Sequence, residues 1–544
     1  MTSPAELAAA PRLVFPGVGA FGAAMRVLTD RGYVQPLRDY VQVRATSLPP
    51  RHGACSSTVA VAHTSCLPFP LNTQSGRPFL GICIGMQVLF DGSDESGGVQ
   101  GLGVIPGAVR RFDPAAGLPV PHIGWNGLRV RPGVPLLAGS EQQRMYFVHS
   151  YRAMPEARNA DWVAATCDYG CEFVAAVARG GAHATQFHPE KSGAAGLALI
   201  DRFLSGKAGT QARPATDAPT LASLPRPAPL AKRVIACLDV RANDSGDLVV
   251  TKGDSYDVRE KDAGGDVRNL GKPVDLAARY AADGADEVTF LNITGYRDSP
   301  LGDAPMLAVL QAASTRVFVP LTVGGGIRDL VDGTGKAYTA LAVAAEYFRS
   351  GADKVSIGSD AVTAAQAYYA RGGRPDGSTS IEAISTVYGA QAVVVSIDPR
   401  RVYVHSQGET RHSVVPAPRP GPQGQQWCWY QCTVSGGREG RDIDAVELAV
   451  AVEALGAGEI LLNCIDEDGQ GNGFDSTLVE SVASAVRIPV IASSGAGKAD
   501  HFSAVFKATQ ASAALAAGIF HRNEVGIQDV KRHMHGQGLP TRLE

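Results

Sequence analysis

The chain has 544 residues, 45% of them apolar and 19% charged, and its formal net charge is −3. Its length exceeds a single compact core, so we expect a globular protein of two domains. The lack of a basic run argues against nucleic acid as a partner, and the lack of a long apolar run argues against a membrane, which leaves a small molecule as the expected ligand.

The nine cysteines are scattered, odd in number and without the paired Cys/His spacing of a zinc site. We therefore predict a reducing compartment, no metal and no cofactor. The N-terminal segment contains Glu6 and no hydrophobic stretch, which argues against a secretory signal. The expected location is the cytoplasm, or the plastid stroma if the source is a photosynthetic eukaryote.

A glycine-containing loop at Pro16–Ala20 follows the first predicted strand, Arg12–Phe15. Such a loop can present backbone N–H groups to a developing negative charge. We predict that the N–H groups of Val18 and Gly19, together with that of Ile84 further along the chain, form an oxyanion site.

Cys83 follows a second short apolar run, Pro78–Gly81, and lies between Gly81 and Gly85. The two glycines permit a sharp turn from strand to helix, which leaves the sulfur at a helix N-terminus where the helix dipole favours the thiolate. The pattern predicts a nucleophilic cysteine. An inert buried cysteine is the alternative.

His188 and Glu190 follow a third apolar run, Ala184–Phe187, about a hundred residues after the cysteine. Pro189 between them favours extended backbone at His188, so both side chains can lie on one face. Glu190 could then orient the imidazole toward Cys83, which would make His188 the general base. A simple turn is the alternative.

The segment 206–230 is rich in Pro, Ala and Thr, and its prolines would break a helix, so we place the domain boundary there. The predicted division is residues 1–206 for an α/β domain that contains the thiol, 207–230 for a linker, and 231–544 for a second domain.

The second domain repeats its own pattern of strands and helices. Three runs recur in the same order, with offsets of 172, 169 and 159 residues: Gly284 against Gly456, Pro320 against Pro489, and Val234 against Val393. Strands that alternate with helical stretches indicate parallel βα units. We predict an α/β fold, a (β/α)8 barrel with a two-fold internal repeat, and keep a doubly wound sheet as the alternative.

The chain resembles a known pair of enzymes along nearly its whole length. The strings that carry the resemblance begin at Pro16, Pro78, Pro121, Tyr146 and Gln186 in the first domain, and at Ala236, Val395 and Ile465 in the second. The first domain resembles a class I glutamine amidotransferase. The second resembles the cyclase of imidazole glycerol phosphate synthase, and the whole chain is similar to the fused eukaryotic form of that family.

The resemblance implies that glutamine is hydrolysed to glutamate and ammonia, and that the ammonia reacts with a bisphosphorylated ribulosyl formimino carboxamide ribotide, PRFAR. The products would be imidazole glycerol phosphate, for histidine synthesis, and the aminoimidazole carboxamide ribotide AICAR. Because both activities lie on one chain, a monomer is expected.

A substrate with a phosphate at each end suits a barrel made of two similar halves. Each half offers one glycine-rich cradle: Gly324, Gly325, Gly326, Gly358 and Ser359 in the first, and Ser494, Gly495, Ala517 and Gly518 in the second. The alternative is that these glycines only shape the turns of the barrel.

Asp239 and Asp398 end strands that the repeat relates, and ring closure needs proton removal and donation on opposite sides of the substrate. The resemblance assigns catalysis to these two carboxylates and places Asp468 and Lys252 near the substrate. Gln87 is also predicted to bind substrate. Helix capping is the alternative role for a carboxylate at a strand end.

Four charged residues each begin a barrel strand, at the end opposite to the catalytic loops: Arg233, Glu287, Lys354 and Glu459. Two positive and two negative charges could form a compensated ring. The resemblance places an ammonia gate at these four positions. Solvated surface charges are the alternative.

The chain also departs from the family. It begins almost at Pro16–Gly19, so the amidotransferase sheet is predicted to lack an N-terminal βα unit. The segment 42–73, with Cys55 and Cys66, is interpreted as an insertion. The run from Trp427 to Cys432 resembles a metal or redox motif, although its spacing favours a hairpin.

These departures leave other functions open. The first alternative is a cyclase that uses only supplied ammonium, and the second is a catalytically silent scaffold. The isomerase that makes PRFAR shares the repeat and the cradles, but it has no need of a glutaminase.

Overall fold

The fold comes from a computed structural model, which describes residues 3–42, 77–113, 117–209, 223–242, 248–251, 272–292, 304–331 and 335–543. Residues 43–73 of the interpreted insertion and Lys252 lie outside the described residues. So do residues 210–222 of the interpreted linker.

The first domain is an α/β layer around a six-stranded sheet. Its strands are β1 Leu13–Phe15, β2 Phe79–Ile82, β3 Phe90–Ser93, β4 Val99–Gln100, β5 Ile105–Arg111, β6 His122–Gly127, β7 Arg129–Val130, β8 Arg144–His149, β9 Tyr151–Ala153, β10 Val163–Asp168, β11 Glu172–Arg179 and β12 Ala182–Thr185. Its helices are α1 Pro4–Ala9, α2 Phe21–Asp30, α3 Val34–Gln42, α4 Ile84–Gln87 and α5 Gly193–Leu204.

The order of the main sheet is β1-β2-β12-β11-β10-β7. Strand β2 is buried along its whole length, because its Phe-Leu-Gly-Ile sequence is covered on both faces, and it pairs in parallel with β1 and with β12. The carboxyl ends of β2 and β12 therefore meet at one edge of the sheet. Among the described strands, β1 has one neighbour only, and its Val14 is 41% exposed.

The second domain is a closed barrel of parallel strands. Its elements in chain order, as far as β20, are β13 Arg233–Ala242, β14 Leu248–Thr251, α6 Pro273–Ala282, β15 Glu287–Asn292, α7 Ala304–Ser314, β16 Leu321–Gly324, β17 Leu330–Val331, β18 Ala337–Tyr338, α8 Ala340–Arg349, β19 Lys354–Ile357, α9 Ser359–Ala370, α10 Ser380–Tyr388 and β20 Val393–Ile397.

Four short strands interrupt the barrel after β20, and the barrel then continues. They are β21 Pro399–Val404, β22 Val415–Pro416, β23 Trp427–Val434 and β24 Glu439–Asp444. The remaining elements are α11 Ala445–Ala454, β25 Glu459–Asn463, α12 Ser476–Ala483, β26 Val490–Ser493, α13 Ala499–Ala508, β27 Ala513–Ala516, α14 Gly518–His521 and α15 Ile527–Gly536.

The barrel closes because β27 pairs with β13 at the end of the order β13-β15-β16-β19-β20-β25-β26-β27. Glu287 begins β15 and Glu459 begins β25, as the offset of 172 residues requires, so the internal repeat is confirmed. The ring closure excludes the doubly wound alternative. The antiparallel pairing of β23 with β21 and β24 also confirms the predicted hairpin, in which Cys428 and Cys432 are buried free thiols.

The amidotransferase-like domain docks on the N-terminal ends of the barrel strands. Trp125 donates from Nε1 to the carbonyl oxygen of Asp286 at 2.9 Å, and the guanidinium of Arg542 lies 4.0 Å from the centre of the Trp125 ring. Lys191 pairs with Asp353 at 2.8 Å. A cation over an indole ring contributes about 0.5–2 kcal/mol, so the tryptophan is an anchor of this interface.

Candidate active sites

Cys83 lies at a strained turn between β2 and α4. Its φ is 54° and its ψ is −106°, and its N–H donates to the carbonyl oxygen of Thr185 on the neighbouring strand at 2.7 Å. A Cβ on Gly85 would come within 2.1 Å of Phe15 O, and one on Gly81 within 2.4 Å of Gly85 O. Only glycine fits these two positions, so the turn that the sequence predicts is present.

His188 follows β12, the strand beside β2, and its Nδ1 lies 2.7 Å from Oε1 of Glu190. Burial disfavours the charged imidazolium, but Glu190 and Cys83 outweigh it and raise the pKa of His188 well above the usual value. Burial alone would raise the pKa of Glu190, but the charge of His188 outweighs burial and lowers it. Among the described residues Nε2 of His188 has no hydrogen-bond partner of ordinary length, so it is available to the thiol.

Two buried glutamines connect the thiol to β9, which belongs to a second sheet of the same domain. Gln186 donates from Nε2 to Sγ of Cys83 at 3.6 Å. Gln87, at the end of α4, donates from Nε2 to Oε1 of Gln186 and to the carbonyl oxygen of Tyr151, at 3.0 Å each. The sequence assigned substrate binding to Gln87 and missed Gln186, although Gln186 begins the string that contains His188.

The loop Pro16–Ala20 lies against the turn at Cys83. A Cβ on Gly17 would come within 2.0 Å of Cγ2 of Ile84, and Gly19 has a φ of 148° and approaches the carbonyl oxygen of Val387 in the barrel. Val18 is 43% exposed. The structure thus brings this loop, the cysteine turn and the barrel surface together, which is the arrangement that the predicted oxyanion role of Val18, Gly19 and Ile84 requires.

The four predicted gate residues form one closed ring of ion pairs. Arg233 pairs with Glu287 at 2.8 Å and with Glu459, and Lys354 pairs with the same two carboxylates at 2.7 and 2.6 Å. All four side chains are fully buried. Each charge has two opposite neighbours, so the ring offsets the cost of removing its members from water. They are therefore not solvated surface charges.

Tyr146 lies between the ring and the triad. Its carbonyl oxygen accepts from the His188 N–H at 2.9 Å, and its hydroxyl is buried without a hydrogen-bond partner among the described residues. Burial raises the pKa of Tyr146, and Glu287 adds to the rise. One residue thus contacts the triad with its backbone and faces the ring with its side chain.

A cavity of about 840 Å³ opens at the opposite end of the barrel, where the strands end. It is lined by every predicted cradle residue, namely Gly324, Gly325, Gly326, Gly358, Ser359, Ser494, Gly495, Ala517 and Gly518. A Cβ would come within 2.2 Å of Asn292 O at Gly325 and within 2.2 Å of Gly473 O at Gly495. The two cradles share one cavity, and each contains a glycine where a facing carbonyl oxygen leaves no room for a side chain.

Asp239, Asp398 and Asp468 line the same cavity. Burial, and after it the nearby Asp468, raise the pKa of Asp239 to about 7. Burial also raises the pKa of Asp398, but hydrogen bonds from Asn463 and Ser396 oppose that rise. The donors lie 2.7 and 3.1 Å from Oδ1 of Asp398. Neither donor was predicted; the signal available was a polar residue near the end of each strand.

His412, Asp444 and Glu447 bring their ligand atoms within 4.8 Å of one another. The ring nitrogens of His412 contact Asp442 at 2.9 Å and Glu447 at 3.2 Å, while Asp444 caps α11 by accepting from its first N–H groups. Because these polar atoms have protein partners, we assign the cluster a structural role.

In the described part of the chain, no helix combines the length and apolar character needed to cross a bilayer.

The geometry defines a class of protein: a cysteine-dependent amidotransferase joined to the base of a phosphate-binding barrel. A family model for class-I glutamine amidotransferases matches residues 65–205, and one described as a histidine biosynthesis protein matches residues 233–526. Imidazole glycerol phosphate synthase hisHF, chloroplastic, of Arabidopsis thaliana is 56% identical to this chain over 99% of it and 84% of the relative.

Proteins named imidazole glycerol phosphate synthase hisHF from Emericella nidulans and Schizosaccharomyces pombe are 50% and 51% identical. They cover 99% and 98% of the chain, which in turn covers 93% of each of them. The chain belongs to the imidazole glycerol phosphate synthase family, in the fused form that carries both domains.

Proposed function

We propose that the chain hydrolyses glutamine at Cys83 and carries the ammonia through the barrel to PRFAR, which it converts to imidazole glycerol phosphate and AICAR for histidine synthesis. One observation carries this proposal. The buried ring of Arg233, Glu287, Lys354 and Glu459 stands between the thiol site on one face of the barrel and the cavity on the other.

The glutaminase step follows from the buried triad. His188 takes the proton of the Cys83 thiol, and the sulfur attacks the side-chain amide of glutamine. Backbone N–H groups of the loop at Val18–Gly19 and of Ile84 stabilise the oxyanion. His188 then returns the proton to the leaving nitrogen, ammonia departs, and water releases glutamate from the sulfur. Glu190 keeps the imidazole oriented and favours its charged form.

The internal route has a chemical reason. Only unprotonated ammonia is a nucleophile, and in bulk water near neutral pH most of it would become ammonium. A passage that begins at the gate ring and ends at Asp239 and Asp398 keeps the nitrogen away from solvent. Opening requires the ion pairs of Lys354 to separate, since its ammonium joins Glu287 to Glu459.

In the cavity, one glycine cradle holds each phosphate and the substrate lies between Asp239 and Asp398. The carboxyl with a pKa of about 7, Asp239, is partly protonated at neutral pH and serves as the acid. Asp398 accepts hydrogen bonds from Asn463 and Ser396 and serves as the base. Asp468, and Lys252 outside the described residues, complete the predicted contacts.

Both activities lie on one chain, which supports a monomer of two domains at 1–206 and 231–544. The relative from Arabidopsis thaliana is named as chloroplastic, so a plastid remains a proposed location beside the cytoplasm.

The experiment uses the full chain, PRFAR and either glutamine or ammonium salts at alkaline pH. We expect product from both nitrogen sources, and we expect Cys83→Ala to lose the glutamine reaction while it keeps the ammonium reaction. Product from ammonium alone in the unmutated chain would favour the cyclase without a glutaminase. PRFAR binding without turnover from either source would favour the silent scaffold.

A further inference from the structure

The antiparallel sheet inserted after β20 contacts both sides of the cyclase cavity. Thr433, on β23, donates from Oγ1 to the carbonyl oxygen of Asp398 at 2.6 Å. Arg401, on β21, contacts the loop that joins β25 to α12 and carries Asp468. The inserted sheet is therefore in a position to fix the two sides of the site relative to each other.

Arg401 is almost fully buried, with 2% of its side chain exposed, and it binds the loop at three points. Its backbone N–H donates to Oδ2 of Asp466 at 2.8 Å. Its guanidinium donates from Nε to Oδ2 of Asp475 at 3.0 Å, and from its NH2 group to Asp475 and to Glu467. One side chain thus holds both ends of the segment in which Asp468 lies.

Other contacts converge on the same carboxylates. Tyr430, on β23, donates its hydroxyl to Asp475 at 2.8–2.9 Å, and the Leu478 N–H at the start of α12 donates to the same carboxylate at 3.0 Å. Arg419 is a second partner of Glu467. The carboxylates that flank the loop are buried and fully engaged with the inserted sheet.

The loop between these two anchors has little stiffness of its own. Gly469, Gly471 and Gly473 have φ values of 71°, 68° and 108°, which are left-handed conformations that favour glycine. The segment takes its position from the contacts at its ends and from the second cradle, where the Gly473 N–H donates to the carbonyl oxygen of Gly495 at 2.8 Å. Asp468 stands between Glu467, which Arg401 holds, and the first of these glycines.

We propose that Arg401 is a positioning residue of the cyclase site, which holds Asp468 beside Asp239 through its contacts with Glu467 and Asp475. The inference rests on the proposed function. It assigns a role in the reaction to an inserted sheet of which the sequence predicted only a hairpin around Trp427 to Cys432.

A displaced Asp468 has a measurable electrostatic consequence. Its negative charge contributes to the raised pKa of Asp239, so moving it away lowers that pKa. Asp239 also faces the thiol of Cys237 at 3.8 Å, and Asp398, Arg328, His521 and Arg522 line the same cavity from other strands. None of these groups is a contact of Arg401 in the described part of the chain.

The test compares Arg401→Lys with Arg400→Lys in the full chain, with ammonium as the nitrogen source. Lysine keeps a charge near Glu467 and Asp475 but lacks the planar fork that reaches both. We expect kcat to fall about 10- to 100-fold with little change in KM, and the apparent pKa on the alkaline limb of the kcat profile, where Asp239 loses its proton, to decrease. The neighbouring Arg400 is the matched control, since it is exposed and bonds to Gln431, and its variant should behave as the parent.

Tyr430→Phe is a second variant that removes one donor to Asp475 and should give a smaller shift in the same direction. If Arg401→Lys fails to fold, an unshifted pH profile in Tyr430→Phe overturns the proposal. Unchanged kcat in folded Arg401→Lys, lower kcat without a pH shift, or an equal loss in Arg400→Lys also overturns it. A parent chain inactive with ammonium contradicts the proposed function itself, and the inference falls with it.

Discussion

The internal repeat relates the positions of Asp239 and Asp398, but their surroundings differ. The expectation that both end a strand is wrong for Asp239, because β13 continues to Ala242, whereas Asp398 directly follows β20. Asp239 has another carboxylate, Asp468, nearby, and its pKa is raised to about 7. Asp398 instead accepts hydrogen bonds from Asn463 and Ser396, which oppose the effect of burial on its pKa. The two halves of the barrel thus have carboxylates at equivalent positions with different neighbours, and the proposed division into acid and base rests on this difference.

The largest expected effect comes from removing each carboxylate in turn. Asp239→Asn and Asp398→Asn should each reduce the ammonium-dependent cyclase rate by about 10²- to 10⁴-fold, because each removes one proton-transfer group. The rate is measured with saturating PRFAR. Hydrolysis of glutamine is the control and should persist in both variants. Retention of most of the cyclase rate in one variant would show that this carboxylate is not a proton-transfer group of the reaction.

At the entrance of the barrel the repeat keeps its acids, Glu287 and Glu459, and both depend on Lys354. Lys354→Ala should leave two buried carboxylates with fewer partners and open the ring to leakage. We expect the ratio of glutamine consumed to product formed to rise, by on the order of 10-fold. Parallel assays of glutamate and imidazole glycerol phosphate measure it. An unchanged ratio would show that Lys354 does not act as part of an ammonia gate.

The pKa values of Asp239 and Asp398 can each be shifted by changing one neighbouring residue. Asp468→Asn removes a negative charge near Asp239 and should lower the pKa of Asp239, whereas Asn463→Ala removes a donor to Asp398 and should raise the pKa of Asp398. The pH dependence of kcat with ammonium reports both changes. Shifts in the same direction in the two variants would contradict the assignment of separate roles.

The smallest expected effect is on stability. The folded chain holds a proton on Asp239 up to about pH 7, whereas the ordinary value is 3.8, so the folded state binds more protons between these values and stability falls as the pH rises through them. Asp239→Asn lacks this loss and should be more stable than the parent at pH 8, by about 1 to 4 kcal/mol. Thermal unfolding from pH 4 to pH 8 measures it, with the exposed Asp500→Asn as the control. A parallel pH dependence in parent and variant would argue against a raised pKa.

The sequence predicted the parts of the fold that local pattern and repetition determine. Cys83 and His188 follow strands that lie side by side, so glycines and short apolar runs were sufficient to pair them. The repeat offsets predicted the barrel and both cradles, because equivalent strands end at equivalent depths.

The remainder depends on contacts between distant segments without a shared pattern. Arg401, Tyr430 and Asp475 meet only after the inserted sheet folds back on the next loop, and their spacing has no periodicity that would reveal this. Gln186 follows the same strand as His188, but no pattern in the sequence indicated its contact with Cys83. The roles assigned to the site residues, including the oxyanion role of Val18, Gly19 and Ile84 and the binding role of Gln87, remain predictions, and Lys252 lies outside the described residues.

The passage of nitrogen through the barrel is tested most directly by isotope competition. The full chain is given PRFAR and glutamine with a heavy-nitrogen label in its amide, in the presence of unlabelled ammonium in solution. Passage through the barrel predicts that the nitrogen incorporated in imidazole glycerol phosphate carries the label of glutamine almost undiluted. A product whose label matches the mixed pool in solution would contradict it.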